Sequence, residues 1–343
     1  MMPPLTVAMD LNAALRRCLR QDNRVYLLGE DLLDPYGGAF KVMKGLSTEF
    51  PDRVFPTPIC EASIVGVAVG AALRGLLPVA EIMFGDFILL AADQLVNHAA
   101  KFAGMYNGQV HTPVVVRTPM GGGRGYGPTH SQTLEKHLLG VPGLRVVAVS
   151  HFVSPGSLLE CAILVDPMPV LFIENKLLYT RPVWTPEGGN GLWVEVLAPP
   201  EGSLYPWACV RNYDPAGAQP DITVVTYGGM SWPLESALKQ LAEEEIRVEA
   251  FLPAEISRAV WPEIEASCRV TGRLVVAEEG AGAFGWGASF MGILASRIGG
   301  EKPVRMLSVH AAESIIPSAR GMEQDMLPSD RSIVQAILKG VGS

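Results

Sequence analysis

Short runs of almost uninterrupted apolar residues recur along this chain: Val25–Leu28, Leu77–Ile82, Leu144–Val149 and Val170–Glu174, then Ile222–Thr226, Arg247–Phe251, Leu274–Glu278 and Val304–Val309. A strand that is apolar on both faces has to be covered on both faces, which is the situation of a parallel sheet and not of an antiparallel one with a wet side. Helical stretches of about 10–15 residues separate the runs, among them Pro155–Val165, Leu234–Glu244 and Trp261–Ser267. The alternation predicts an α/β fold made of two parallel-sheet domains, each with helices on both faces. Between Arg181 and Pro220 it lapses into Trp184-Thr185-Pro186-Glu187-Gly188-Gly189, Pro199-Pro200 and Asp214-Pro215-Ala216-Gly217, which is turn chemistry. The expected division is therefore a first domain over 1–183, a linker over 184–220 and a second domain over 221–343, within the size range of ordinary domains.

Composition narrows the function classes. Only 18% of the 343 residues are charged and 48% are hydrophobic, more apolar material than one soluble monomer of this size normally hides, so a large subunit interface is expected. The greasiest stretch, Glu81–Val96, contains Glu81, Asp86 and Asp93, which argues against a membrane span. Met9–Arg20 places Leu11, Leu15, Cys18 and Leu19 on one helical face, the pattern of a packed surface helix and not of a secretion signal. Five scattered cysteines without a C-x-x-C pair suit a reducing cytoplasm and argue against zinc or an iron–sulfur cluster. A net charge of −8 with no basic block makes nucleic acid an unsuitable partner.

Two stretches hold candidate chemistry. In Thr57–Gly70, Glu61 stands between a Pro-containing turn and a segment of small and aliphatic residues. It is either an exposed charge favoured by a helix N-terminus or a buried carboxylate that needs a partner for its proton or charge. Gly66 and Gly70, four apart, would let another backbone come close, whether for packing or for a cofactor. The second stretch, Gly121–Gln132, follows the apolar strand Thr112–Arg117, which is expected to stop at Thr118-Pro119. Its glycines admit positive φ nearly everywhere, as a mobile connector or a binding loop would need, and it ends in His130, Ser131 and Gln132. His130 is the best acid–base candidate of the six histidines; His98 and His137 fall in predicted helices, and His111, His151 and His310 have no comparable setting. A G-x-G-x-x-G spacing at Gly280, Gly282 and Gly285 lacks the acidic residue about 20 positions on that a dinucleotide site needs.

Taken together, Thr57-Pro58-Ile59-Cys60-Glu61, Gly85-Asp86-Phe87, Asp93–Lys101, Gly121–Gln132, Pro142-Gly143-Leu144 and Ile173–Tyr179 resemble the β subunit of the thiamine-diphosphate-dependent 2-oxo acid dehydrogenase E1 component. Pyruvate, branched-chain and acetoin dehydrogenases belong to that family. The resemblance runs from about Gly29 to the C-terminus and implies a pyrimidine-binding domain followed by a transketolase C-terminal domain. It implies that Glu61 hydrogen-bonds N1′ of the cofactor's aminopyrimidine and favours the tautomer whose 4′-nitrogen takes the thiazolium C2 proton. Phe87 and Met83 match positions that pack against the cofactor, and His130 matches the histidine that assists proton transfer when the acyl group passes to a lipoyl arm. Ala162, Ile163 and Asp166 resemble the segment that holds a structural potassium ion in some members.

The family holds magnesium and diphosphate through a Gly-Asp-Gly element, which this chain lacks. The resemblance therefore implies an α-type partner that supplies the Mg2+ half-site, an α2β2 heterotetramer, a lipoyl-bearing E2 as acyl acceptor and a small 2-oxo acid as substrate. Two other readings are an acyloin-type carboligase subunit of a specialised pathway and a non-catalytic oligomer partner.

Overall fold

Thr6 opens the first helix by accepting a hydrogen bond from the Met9 amide, and Val7, Leu11, Ala14, Leu15, Cys18 and Leu19 bury the stripe that the sequence spacing predicts. The computed structural model describes residues 4–186, 191–258, 261–298 and 303–342. It divides into two units: Met1–Gly121, Gln132–Val149 and Ser154–Val183 form one, and Gly122–Ser131, Ser150–Val153 and Trp184–Ser343 the other.

The first unit is built on β1 (Val25–Gly29), β2 (Val54–Pro56), β3 (Leu77–Glu81), β4 (Val115–Met120), β5 (Arg145–Ala148) and β6 (Val170–Asn175), in the order β2-β1-β3-β4-β6-β5. Every pairing is parallel. β3, β4 and β6 are buried along their whole length, as strands covered on both faces must be. Its helices are α1 (Val7–Gln21), α2 (Leu46–Glu49), α3 (Glu61–Leu73), α4 (Ala100–Met105) and α5 (Pro155–Leu164). The buried Asp10 of α1 accepts the Ser154 hydroxyl and the Gly156 amide at the start of α5. A Cβ on Gly156 would stand 2.7 Å from that carboxylate, so glycine is what lets the two helices meet there.

The second unit contains β7 (Trp193–Leu197), β8 (Trp207–Arg211), β9 (Ile222–Thr226), β10 (Val248–Leu252), β11 (Arg273–Ala281) and β12 (Arg305–Ala311), ordered β12-β11-β9-β10-β8-β7. With them are α6 (Ser231–Glu243), α7 (Pro262–Thr271), α8 (Trp286–Ile298), α9 (Arg320–Met326) and α10 (Asp330–Val341). β9 to β12 are parallel, but β8 runs antiparallel to β10 and β7 antiparallel to β8. This corrects the expected linker over 184–220: among its described residues are two strands of the second sheet. Trp207 is the reason. It is buried against Phe251 of β10, its indole N–H bonds the Ala198 carbonyl, and Ala208, Cys209 and Val210 are fully buried beside it. Residues 187–190 of the expected linker lie outside the described residues.

Two further expectations shift. β4 continues through Pro119 to Met120, because β3 pairing ends at the Ile82 amide, which bonds the Arg117 carbonyl. With backbone groups alternating sides along a strand, Pro119's missing N–H points to the side where β3 has already ended. The helix expected around His98 is a wide turn over Gln94–Ala99 followed by α4, with a tight turn over Gly85–Ala91 before it.

Candidate active site

The carboxyl ends of parallel strands are where open α/β sheets place their sites, and the first unit gathers its buried charges there. Thr57 turns back on β1, its amide bonding the Gly29 carbonyl, and this brings Glu61 in as the first residue of α3. Glu61 is 6% exposed, which settles its two sequence readings in favour of burial. Its carboxylate has no hydrogen-bond partner among the described residues. Glu30, just after β1, is 4% exposed and its Oε1 is unpartnered. Burial, together with the negative charges of Glu61, Asp31 and Glu81, pushes the Glu30 carboxyl up to about 7. The Glu61 charge is thus one of the things that disfavours ionisation of Glu30.

Met83 and Phe87 follow β3 and are half-buried. Phe87 meets Phe84 edge-on at 6.1 Å between centroids, and Phe84 meets Phe40 at 5.5 Å. The turn holding Phe87 packs against α3, so the structure brings the Glu61 helix and the expected stacking residue together. Asp86 accepts the Gln132 amide and side-chain N–H groups at 3.0 Å each. Lys176, fully buried, donates to the Gly121 carbonyl at 2.9 Å, lies 3.7 Å from Asp86 and stands over the Phe84 ring.

Behind these groups lies a network the sequence reading missed. Arg117 of β4 is 1% exposed. It bonds Glu174 of β6 through two nitrogens, at 2.7 and 2.9 Å, and Glu81 of β3 at 2.8 Å. The Tyr179 hydroxyl donates to Glu174 at 2.6 Å. Burial raises the Glu81 carboxyl, with Arg117 acting against the rise. The available signal was a charged residue directly after the run Val114-Val115-Val116.

His130 belongs to the second unit, on the loop that follows β4. Its amide donates to the Gly127 carbonyl, and its Nδ1 lies 3.0 Å from the Thr129 hydroxyl. The loop is tied down: the Gly122 amide donates to Glu279 and the Gly125 amide to Glu323. Gly125 and Gly127 sit at φ +74° and +81°, which only glycine adopts readily.

Other expected residues fare differently. Ala162 and Ile163 are buried in α5, but the Asp166 carboxylate accepts the Met168 amide and faces the Arg145 guanidinium at 3.0 Å. His137 lies in a tight turn over Glu135–His137 and not in a longer helix. His151 is buried in the second unit between the Ser231 hydroxyl (3.0 Å) and Glu235 (2.9 Å), a setting that the sequence did not show. Since Ser231 is fully buried, this row is a packing device and not a nucleophile with its base. Gly285 and Gly287 make room for Glu278, which accepts the Gly287 amide, so the G-x-G-x-x-G spacing serves packing.

Residues 4–182 match the transketolase pyrimidine-binding domain and residues 215–333 the transketolase C-terminal domain. The chain is 34% identical over 333 residues to the mitochondrial pyruvate dehydrogenase E1 component subunit beta-1 of Arabidopsis thaliana, covering 97% of this chain and 88% of that protein. It belongs to the E1 β-subunit family of transketolase-like proteins.

Two more relatives show how wide this E1 β family is. The 3-methyl-2-oxobutanoate dehydrogenase subunit beta of Mycobacterium tuberculosis is 38% identical over 299 residues, 86% of this chain and 79% of that one. The acetoin:2,6-dichlorophenolindophenol oxidoreductase subunit beta of Cupriavidus necator is 32% identical over 344 residues, 98% and 97% of the two chains. A solved structure titled split gene transketolase, inactive beta4 tetramer, shares the fold at a TM-score of 0.71 and 19% identity, covering 98% of this chain and 99% of that one. In this E1 β chain no group of three or more His, Cys, Asp or Glu side chains suited to a metal occurs among the described residues. No helix among them is long and apolar enough to cross a membrane.

Proposed function

We propose that this chain is the β subunit of a thiamine-diphosphate-dependent 2-oxo acid dehydrogenase, working with an α-type subunit that supplies the magnesium and diphosphate half-site. The observation that supports this most is Glu61, a buried carboxylate without a hydrogen-bond partner among the described residues, at the head of α3 and beside the turn that holds Phe87. A buried acceptor of this kind suits a ring nitrogen that shares a proton, and a half-buried phenyl suits a flat heteroaromatic ring. The residues present therefore fit the aminopyrimidine half of the cofactor.

When bound, thiamine diphosphate supplies the electron sink that lets a 2-oxo acid lose carbon dioxide. Glu61 holds the proton shared with the pyrimidine N1′, and Phe87 and Met83 orient the ring. Glu30, neutral below about pH 7, keeps a second negative charge away from Glu61 and lets that proton be held and released. His130 handles the proton that moves when the acyl group passes to a lipoyl disulfide. The five free cysteines accord with the cytoplasmic location we assign. The acetoin-linked relative matches 98% of this chain and favours testing acetoin beside the 2-oxo acids.

Glu61→Gln in the co-purified α–β complex tests the reading. Turnover of 2-oxo acid with a dye acceptor is expected to fall by about a hundredfold or more, the scale of a lost acid–base group, with an unchanged thermal midpoint. Near-normal turnover would remove Glu61 from the chemistry.

A further inference from the structure

The His130 loop is held by two carboxylates that lie far from it in sequence. Glu279, near the end of β11, accepts the Gly122 amide at 2.8 Å, and Glu323 of α9 accepts the Gly125 amide at 2.6 Å. Glu323 is 0% exposed, and its second oxygen, Oε1, has no hydrogen-bond partner among the described residues. An apolar side chain would fill that place without a desolvation cost, whereas a buried carboxylate is costly unless its hydrogen bonds repay it. Among the described residues, the hydrogen bond that the Glu323 carboxylate makes is to the loop. Contact along the arc is close: a Cβ on Gly122 would stand 2.7 Å from Leu327 and 2.9 Å from Glu323 Oε1, and one on Gly127 would stand 2.6 Å from the Ser318 hydroxyl. Glycine-rich chain has the most backbone freedom to lose on ordering, so an arc of this composition keeps one shape only where something outside it supplies the hold.

We propose that Glu279 and Glu323 are positioning residues for His130: they clamp the amides of Gly122 and Gly125 and so fix the arc from which His130 presents its ring. The consequence for catalysis rests on the reading of His130 given above. In the acyl-transfer step the lipoyl disulfide is the oxidant. Its S–S bond breaks, one sulfur takes the acyl carbon, and the other takes a proton, the one assigned to His130. Decarboxylation coupled to a dye needs no such proton. A loosened loop should therefore slow the first reaction and spare the second.

The test uses the intact chain in complex with its α-type partner and the variants Glu323→Ala, Glu323→Gln and Glu279→Ala. In Glu323→Ala, amide exchange over residues 122–131 should quicken by about tenfold or more, on the scale of a lost charge-assisted hydrogen bond. Acyl transfer to free lipoamide should fall by a similar factor while dye-coupled decarboxylation stays within about twofold. Glu323→Gln keeps an acceptor oxygen and should recover most of both losses, and Glu279→Ala should loosen the arc to a smaller extent. Unchanged exchange in both alanine variants, or equal loss of the two activities, would overturn the proposal. Should Glu323→Ala not fold, Glu279→Ala and Glu323→Gln decide it on the same readouts. If the wild-type complex transfers no acyl group to lipoamide, the functional reading fails, and the exchange rates alone decide the clamp.

Discussion

Glu30 is buried within the field of the Glu61 carboxylate, so its own charge is costly. Burial and three neighbouring carboxylates hold Glu30 near 7, against an ordinary glutamate near 4.3 in the unfolded chain. Between those values the folded protein binds more protons than the unfolded one, so this group's contribution makes stability fall as pH rises and adds a full penalty above about pH 7. Glu30→Gln is therefore expected to be more stable than the wild type near pH 8 and to lose that advantage near pH 5, as read from urea midpoints at about those two values. Parallel pH profiles for the two proteins would contradict the assignment. Glu61 was legible in the sequence because a lone carboxylate among small aliphatic residues is conspicuous. Glu30 was not: Gly29-Glu30-Asp31 reads only as the end of the Val25–Leu28 strand, and the Thr57 amide that folds back onto the Gly29 carbonyl comes from a distant segment.

The strands of the first unit are joined at one end by charge as well as by backbone. Arg117 ties β4 to β3 through Glu81 and to β6 through Glu174, so removing it strands two carboxylates in the interior. Arg117→Met is expected to lower stability by about 3–5 kcal/mol, the usual cost of breaking a buried pair from one side. An unchanged urea midpoint would show that water reaches these groups. Strand and helix periodicity located nearly all the parallel strands and the helices α1, α5, α6 and α7, because burial on both faces leaves a largely apolar run. It failed where the pattern is local and mixed. The exposed β7 (Trp193–Leu197) and the Pro- and Gly-rich chain around it hid a hairpin whose register depends on Trp207 reaching Phe251, about 40 residues on. The loop at 121–132 was legible as a candidate site, but its anchors, Glu279 and Glu323, lie far along the chain and no local spacing announces them.

At the scale of the whole chain, the surplus of apolar residues remains partly on view. Ile59 is 79% exposed, Val67 64% and Leu90 61%, the first two directly flanking or within the Glu61 helix. Exposed aliphatic side chains at that density around a candidate site are what a subunit interface leaves when its partner is removed, in keeping with the α-type partner proposed. The residues proposed to face the pyrimidine, Glu61, Met83 and Phe87, are in this chain, and the Gly-Asp-Gly element is not. The measurement that goes most directly to this account is calorimetric titration of thiamine diphosphate with Mg2+, first into the purified chain and then into the chain co-purified with its α-type partner. The account predicts no measurable binding by the chain alone and binding by the complex. Tight binding by the lone chain, or none by the complex, would contradict it.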